Sequence, residues 1–252
     1  MDDIIFAEPL KEGVIKKRKS QFTMIVSMNG EDIGCHCPTT GRIGDIDVSG
    51  RPCLLSKSTD PGRKTPYTVE AVSLDRPETE GKRWIGINQN AVNRYVEHYL
   101  RNGGLSDIIG NEKNIQREKV LGASKLDFLA GDVYIEVKMP LVSLQMEIPD
   151  HVRTKKTAPL GSTDRFVRHI TDLKNSLQSH QKAVLLSCFM YDNPGFRVRE
   201  KSTHYKEVSS AVRDSTDAGV ELWQANFEIT PEAVRLTKYF KITFDEIQSE
   251  LQ

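Results

Sequence analysis

The apolar and polar positions alternate most sharply over residues 124–139. Residues 124–129 alternate, Ala130-Gly-Asp132 follows, and residues 133–139 alternate again, which predicts two short strands around a turn. A four-residue connection, Ala130 to Val133, sets Asp127 directly across from Glu136 with both carboxylates on one face. Lys138 lies two residues beyond Glu136 and shares that face. Facing carboxylates repel each other across a strand pair, so a fold that keeps them has reason to place a cation between them. The plain alternative is a solvated strand face with a cross-strand charge pattern. A slip of one residue would send Asp127 to the opposite face.

The same alternation organises the first third of the chain. Residues 22–28 and 31–37 flank Asn29-Gly30, a strong two-residue hairpin signal. Residues 52–57, 67–74 and 84–87 read as further strands, with Pro61-Gly62 between the first two. Five short strands with long basic loops predict a small barrel of the OB kind, although the pattern fits any small β-barrel. Of its aromatics, Phe22 and Trp84 are expected in the core and Tyr67 is the remaining stacking candidate.

A helical period then takes over. Val92, Tyr95, Val96, Tyr99 and Leu100 form one stripe over residues 88–100, and Asn102-Gly-Gly104 stops it. The domain boundary falls here, giving an N-terminal barrel over residues 1–87 and a second domain over 88–252. In the second domain a helix over 163–179 carries Phe166, Ile170, Leu173 and Leu177 on one stripe. Residues 182–191 are apolar throughout, as a strand buried on both faces should be. A helix over 205–218, a strand over 220–229 and a closing helix announced by Thr230-Pro231 complete a mixed α/β sheet flanked by helices.

Composition narrows the partners. Lys plus Arg and Asp plus Glu both number 35, so no global positive field points to nucleic acid, and any phosphate attraction is local. Local clusters exist: Lys11 with Lys16-Lys-Arg-Lys19, then Arg51, Lys57, Arg63 and Lys64, then a run from His151 to His169. That run holds Arg153, Lys155, Lys156, Arg165 and Arg168 against Asp164 alone. No apolar run approaches the ~20 residues that span a bilayer, and the acidic opening Met1-Asp-Asp3 argues against a secretory leader. A cytoplasmic chain with no membrane partner is expected. Cysteines 35, 37, 53 and 188 do not form two separated ligand pairs, so buried reduced thiols are expected rather than a zinc knuckle.

The residue types at the 124–139 hairpin suit phosphodiester chemistry. A hard divalent ion, Mg²⁺ or Mn²⁺, prefers the oxygens of Asp127 and Glu136 and retains its waters, with the Val137 carbonyl as a further ligand. Lys138 would orient the attacking water. Arg165 and His169 are an i,i+4 pair lying off the apolar stripe, with a guanidinium to fork phosphate oxygens and an imidazole to bind phosphate or move a proton. Asp172, one turn beyond Arg168, leaves an ordinary surface ion network as the alternative.

Cys37-Pro-Thr-Thr-Gly41, Ser124-Lys-Leu-Asp-Phe128, Tyr134-Ile-Glu-Val-Lys138, Ile148-Pro-Asp150, Arg165-x-x-Arg-His169 and Gly219-Val-Glu221 occur in an order and spacing that resemble the sugar fermentation stimulation protein A family. The resemblance implies an α+β / α/β two-domain protein, with an OB-like N-terminal barrel and a C-terminal restriction-endonuclease-like PD-(D/E)xK domain. It implies a nucleic-acid-binding, metal-dependent nuclease acting on DNA or RNA. The alternatives are a non-catalytic DNA-binding regulatory protein linked to sugar metabolism and, more remotely, a sugar-binding barrel. It also aligns a carboxylate with Glu118, which would complete the metal shell; a surface strand residue paired with Arg117 or Lys119 explains it equally.

Overall fold

The computed structural model describes residues 2–39, 41–155, 163–198 and 204–248. The chain begins with β1 (Ile4–Ile5), β2 (Lys11–Ser20), β3 (Thr23–Met28), β4 (Glu31–His36), β5 (Pro52–Lys57), β6 (Tyr67–Val72) and β7 (Ile85–Gly86). Helices α1 (Gln89–Arg101) and α2 (Ser106–Ile109) lead to β8 (Ile115–Leu121), β9 (Ser124–Ala130) and β10 (Val133–Lys138). Then come α3 (Asp164–Ser176), β11 (Lys182–Phe189), α4 (Tyr205–Asp217), β12 (Glu221–Ile229), β13 (Ala233–Ile242) and α5 (Phe244–Gln248).

Strands β2 to β6 form a closed five-stranded barrel of the OB type in the order β4-β3-β2-β5-β6, shut by the pairing of His36 with Thr68. Asn29 and Gly30 take φ of 54° and 85° at the β3–β4 turn, the geometry of a two-residue hairpin. All four cysteines are free and buried, and in β4 Cys35 points inward while His36 turns the other way. The basic cluster at Lys16–Lys19 belongs to a ten-residue strand, β2. Its Arg18 donates to the carbonyls of Gly41 (2.8 Å), Gln21 (3.0 Å) and Thr39 (2.7 Å), so it ties loops together. Phe22, expected in the core, is 52% exposed, because it sits in the tight turn between β2 and β3 where no strand covers it.

The second sheet has seven strands in the order β1-β13-β12-β11-β10-β9-β8. Parallel strands β10, β11 and β12 are joined by crossovers through α3 and α4, and the remaining pairs are antiparallel. In β11, Val184, Leu186 and Cys188 join the core shared with α1 and the barrel, whereas Ala183 and Leu185 join the core under α3 and α4. Both faces are covered, which is why the segment reads as a continuous apolar run. Truncating a fully buried side chain of this sheet such as Phe128 to Ala would cost about 3–5 kcal/mol.

The closing helix expected after Thr230-Pro231 is instead strand β13. Thr230 Oγ1 accepts the N–H groups of Glu232 (3.2 Å) and Ala233 (3.1 Å), making a turn rather than a helix start. Beyond it, buried Val234 and Leu236 flank exposed Arg235, a period of two that overrides the capping signal.

Close backbone contacts join the two parts of the chain. Gly86 donates its N–H to the Met190 carbonyl at 3.0 Å, and a Cβ there would come within 2.5 Å of Met190 Cβ, so only glycine permits the approach. The first residues also return to the larger sheet: Ile4 pairs with Val234, Phe6 N–H reaches the Glu232 carbonyl at 2.9 Å, and Asp3 pairs with Arg235. Among the described residues, no helix is long and apolar enough to cross a membrane.

Candidate functional site

The β9–β10 hairpin turns at Gly131-Asp132. Gly131 has φ of 55°, a left-handed conformation that favours glycine, so it suits the turn that sets the register. Ala130 pairs with Val133, Leu129 with Tyr134 and Phe128 with Ile135. One further step would set Asp127 against Glu136, but the backbone pairing stops there. On the other side of β9 the pairing runs Arg117 to Phe128 and then Lys119 to Leu126, again passing over Asp127, and the skipped Glu118 has φ of 53°. Both ladders are thus interrupted at one residue.

The Asp127 side chain fills that interruption. Its Oδ2 accepts the Val137 N–H at 2.8 Å, in place of a strand-to-strand bond, and its Oδ1 accepts Asn93 Nδ2 from α1 at 2.7 Å. Glu136 is 2% exposed. Its Oε1 takes both Lys138 Nζ and His169 Nδ1, the latter at 2.6 Å, while its Oε2 is buried with no hydrogen-bond partner. Burial pushes the Asp127 carboxyl above the usual carboxylate range, and the nearby Glu136 charge pushes it the same way, against the contacts of Val137, Lys138 and Asn93. The two carboxylates therefore repel each other at close quarters.

This donor set fits a hard cation. Glu136 Oε2 is an acceptor shielded from water without a donor, a costly state that a cation would relieve. No group of three or more His, Cys, Asp or Glu side chains is assembled to hold an ion among the described residues. An ion of the Mg²⁺ type needs only one or two carboxylates, because it keeps several waters.

The other expected residues divide. Val137 is buried, and its N–H is on Asp127. Glu118 is not in the cluster: it is exposed and ion-paired with Lys125 at 2.5 Å, while Arg117 pairs with Glu97. His169, expected off the core, is 5% exposed and turned onto Glu136. It precedes Leu173 by one helical turn, so the buried stripe of α3 is wider than the apolar residues alone suggest. Arg165 and Arg168 stay exposed on α3, and Arg168 makes no ion pair with Asp172.

Arg153 and Lys155 are exposed on a segment strapped to the barrel loop, with Lys155 N–H on the Asp45 carbonyl at 2.7 Å and Asp47 N–H on the Arg153 carbonyl at 2.8 Å. Lys156 lies outside the described residues. Lys57 and Arg63 line a cleft between the barrel and α1, and Lys64 is exposed beside it.

Two residues escaped the sequence reading. Asn93 fixes Asp127, and Gln89, one turn earlier on α1, donates to the Met139 carbonyl at 3.0 Å while accepting from barrel Thr39 Oγ1 at 2.8 Å. Their only signal was the i,i+4 spacing of two amides bordering the apolar stripe of α1. A concavity of about 1150 Å³ between β7 and the β12–β13 hairpin contains none of these residues.

Comparison with known proteins agrees with this architecture. Residues 17–87 match the family profile described as the SfsA N-terminal OB domain, and residues 90–233 match the sugar fermentation stimulation protein RE domain. A sugar fermentation stimulation protein homolog of Synechococcus sp. (strain JA-2-3B'a(2-13)) is 32% identical over 91% of this chain and 92% of its own. One from Clostridium perfringens is 28% identical over 92% of this chain and 96% of its own. Among solved structures, Pyrococcus furiosus SfsA in complex with Ca²⁺ superposes with a TM-score of 0.74 at 17% identity, covering 95% of this chain and 98% of that one.

Proposed function

Because the chain belongs to the sugar fermentation stimulation protein family, we propose that it is a metal-dependent nuclease hydrolysing phosphodiester bonds of DNA or RNA. The observation that carries this reading is the unpartnered, buried Glu136 Oε2 beside an Asp127 whose carboxyl is held above its usual range. Asp127 and Glu136 would hold Mg²⁺ or Mn²⁺, and the Ca²⁺ complex of the archaeal relative supports a divalent ion on this fold. When bound, the ion supplies a Lewis acid for a phosphate oxygen and acidifies a coordinated water.

The chain's own residues do the rest. His169 holds Glu136 from α3 and fixes the orientation of its carboxylate. Lys138, partly exposed and anchored on Glu136 Oε1, carries an ammonium that can orient an attacking water from the solvent side. Asn93 keeps Asp127 from rotating away. Arg165, exposed one turn before His169, would meet a phosphate.

The test is incubation of the purified protein with labelled single- and double-stranded DNA and RNA in Mg²⁺, Mn²⁺ or EDTA. Cleavage should need the metal and should vanish in EDTA. The second reading, a non-catalytic DNA-binding regulator linked to sugar metabolism, draws support from Glu136 Oε1, which Lys138 and His169 already engage without a metal. Absence of cleavage under every metal and substrate would favour it.

A further inference from the structure

Away from the Asp127 cluster, the barrel and α1 enclose a cleft of about 560 Å³. Lys57 and Arg63 enter it from the barrel and Arg94 from α1, and none of the three makes an ion pair among the described residues. The carboxylates on its wall are already engaged. Glu70 accepts Ser56 Oγ at 2.6 Å and Asn88 Nδ2 at 2.7 Å, and Asp60 accepts the Gly62 N–H at 2.9 Å within its own loop. Three cations on the lining outnumber its two carboxylates, so the charge offered to a ligand is net positive, and the volume is that of a nucleotide-sized ligand.

Phe22 adds the second element. It is 52% exposed, its carbonyl accepts the Cys37 N–H at 2.9 Å, and its neighbour Thr23 pairs with His36 of the cleft wall. An exposed aromatic beside unpaired cations is the arrangement that grips single strands, through base stacking and phosphate contacts together. A duplex keeps its bases stacked inside and presents Phe22 with no ring face.

Helix α1 links this cleft to the acid pair. Asn90 and Arg94 line the cleft, while Gln89 and Asn93 on the adjoining stripe reach Met139 and Asp127. The helix is about 10 Å across, a span of about three nucleotides at the rise of one DNA strand.

We propose that the cleft holds the backbone of a single-stranded nucleic acid on its way to Asp127, with Lys57, Arg63 and Arg94 on phosphates and Phe22 under a base. The proposal rests on the reading of the protein as one that handles nucleic acid, and it narrows the substrate to single strands.

Fluorescence anisotropy on the full chain in EDTA tests it, with a labelled single-stranded dodecanucleotide and the blunt duplex of the same sequence. The single strand should bind more tightly. Arg63→Ala combined with Arg94→Ala should lower the slope of log K against log salt by about 1.4, since each lost contact is worth about 0.7 on single strands. Phe22→Ala should weaken single-strand binding about fivefold or more and leave duplex binding unchanged. An unchanged slope in the double variant would overturn the proposal, as would duplex binding that equals single-strand binding and falls equally with Phe22→Ala. Because no metal is present, these outcomes are independent of whether the protein cleaves.

Discussion

Two carboxylate clusters sit close together on the same parallel strands, Glu136 in register with Leu185 and Leu222 and Glu221 one residue earlier on the other face, and they are built on opposite plans. At the amino ends of β11 and β12, Glu221 accepts Lys182 and Lys241 at 2.9 Å each and Trp223 Nε1 at 2.8 Å, so both its oxygens are satisfied. Burial pushes its carboxyl upward, but those three donors outweigh it and draw the pKa down to about 2. Between β9 and β10, Asp127 is held above its usual range and Glu136 keeps one oxygen without a donor. The first cluster is complete without a ligand and serves the fold. The second leaves that oxygen open to a cation.

The largest effect expected from this contrast concerns catalysis. Lys138→Ala should lower cleavage by about 10²–10⁴-fold while calorimetry finds Mn²⁺ binding intact, because Lys138 offers no ligand atom. Lys241→Ala, at the satisfied cluster, should leave cleavage unchanged. Full activity in the Lys138 variant would erase the distinction between the two clusters.

Metal should next separate them in stability. At a concentration of ~100 times its dissociation constant, Mn²⁺ should stabilise the wild type by about 2.7 kcal/mol in scanning calorimetry. Asp127→Ala should abolish that gain and Glu221→Gln should preserve it. A gain that survives Asp127→Ala would move the metal elsewhere.

The pH dependences should carry opposite signs. The depressed Glu221 carboxyl contributes stability that is present above the ordinary carboxylate range and lost as pH falls through about 2. Glu221→Gln should therefore cost about 1–2 kcal/mol at neutral pH, after solvent screening, and the cost should shrink in strong acid. The raised Asp127 carboxyl does the reverse: without metal, its ionisation removes stability as pH rises from the ordinary carboxylate range through its elevated value. Urea unfolding of wild type and Asp127→Ala across that window should reveal a declining difference.

The smallest effect sharpens the picture from the helix side. Asn93→Ala removes one donor from Asp127 and should weaken Mn²⁺ about tenfold, the loss of one hydrogen bond to a charged group. No change in affinity would mean that the Val137 N–H alone holds the carboxylate.

The hairpin of the site was legible because strand alternation and the Ala-Gly-Asp turn act locally, and both survive in the structure. The placement of His169 was not, because a charged residue on a helix reads as exposed until a buried carboxylate is known to lie beneath it. For Asn93 the only local signal was its spacing from Gln89, because its partner is 34 residues away. Thr230-Pro231 misled for a related reason: the local capping signal was strong, and only the alternation after it marked a strand that completes a sheet begun more than a hundred residues earlier.

The pairing of Ile4 with Val234 also sets an order of events during synthesis. At about 5–20 residues per second, the ribosome would make the partner of Ile4 roughly 10–50 s after Ile4 itself. The barrel strands can close in that interval while the leading residues wait without a sheet to join. A segment translated ahead of the barrel is thus among the last to dock, so the Ile4–Val234 pairing belongs to the final step of assembly rather than the first.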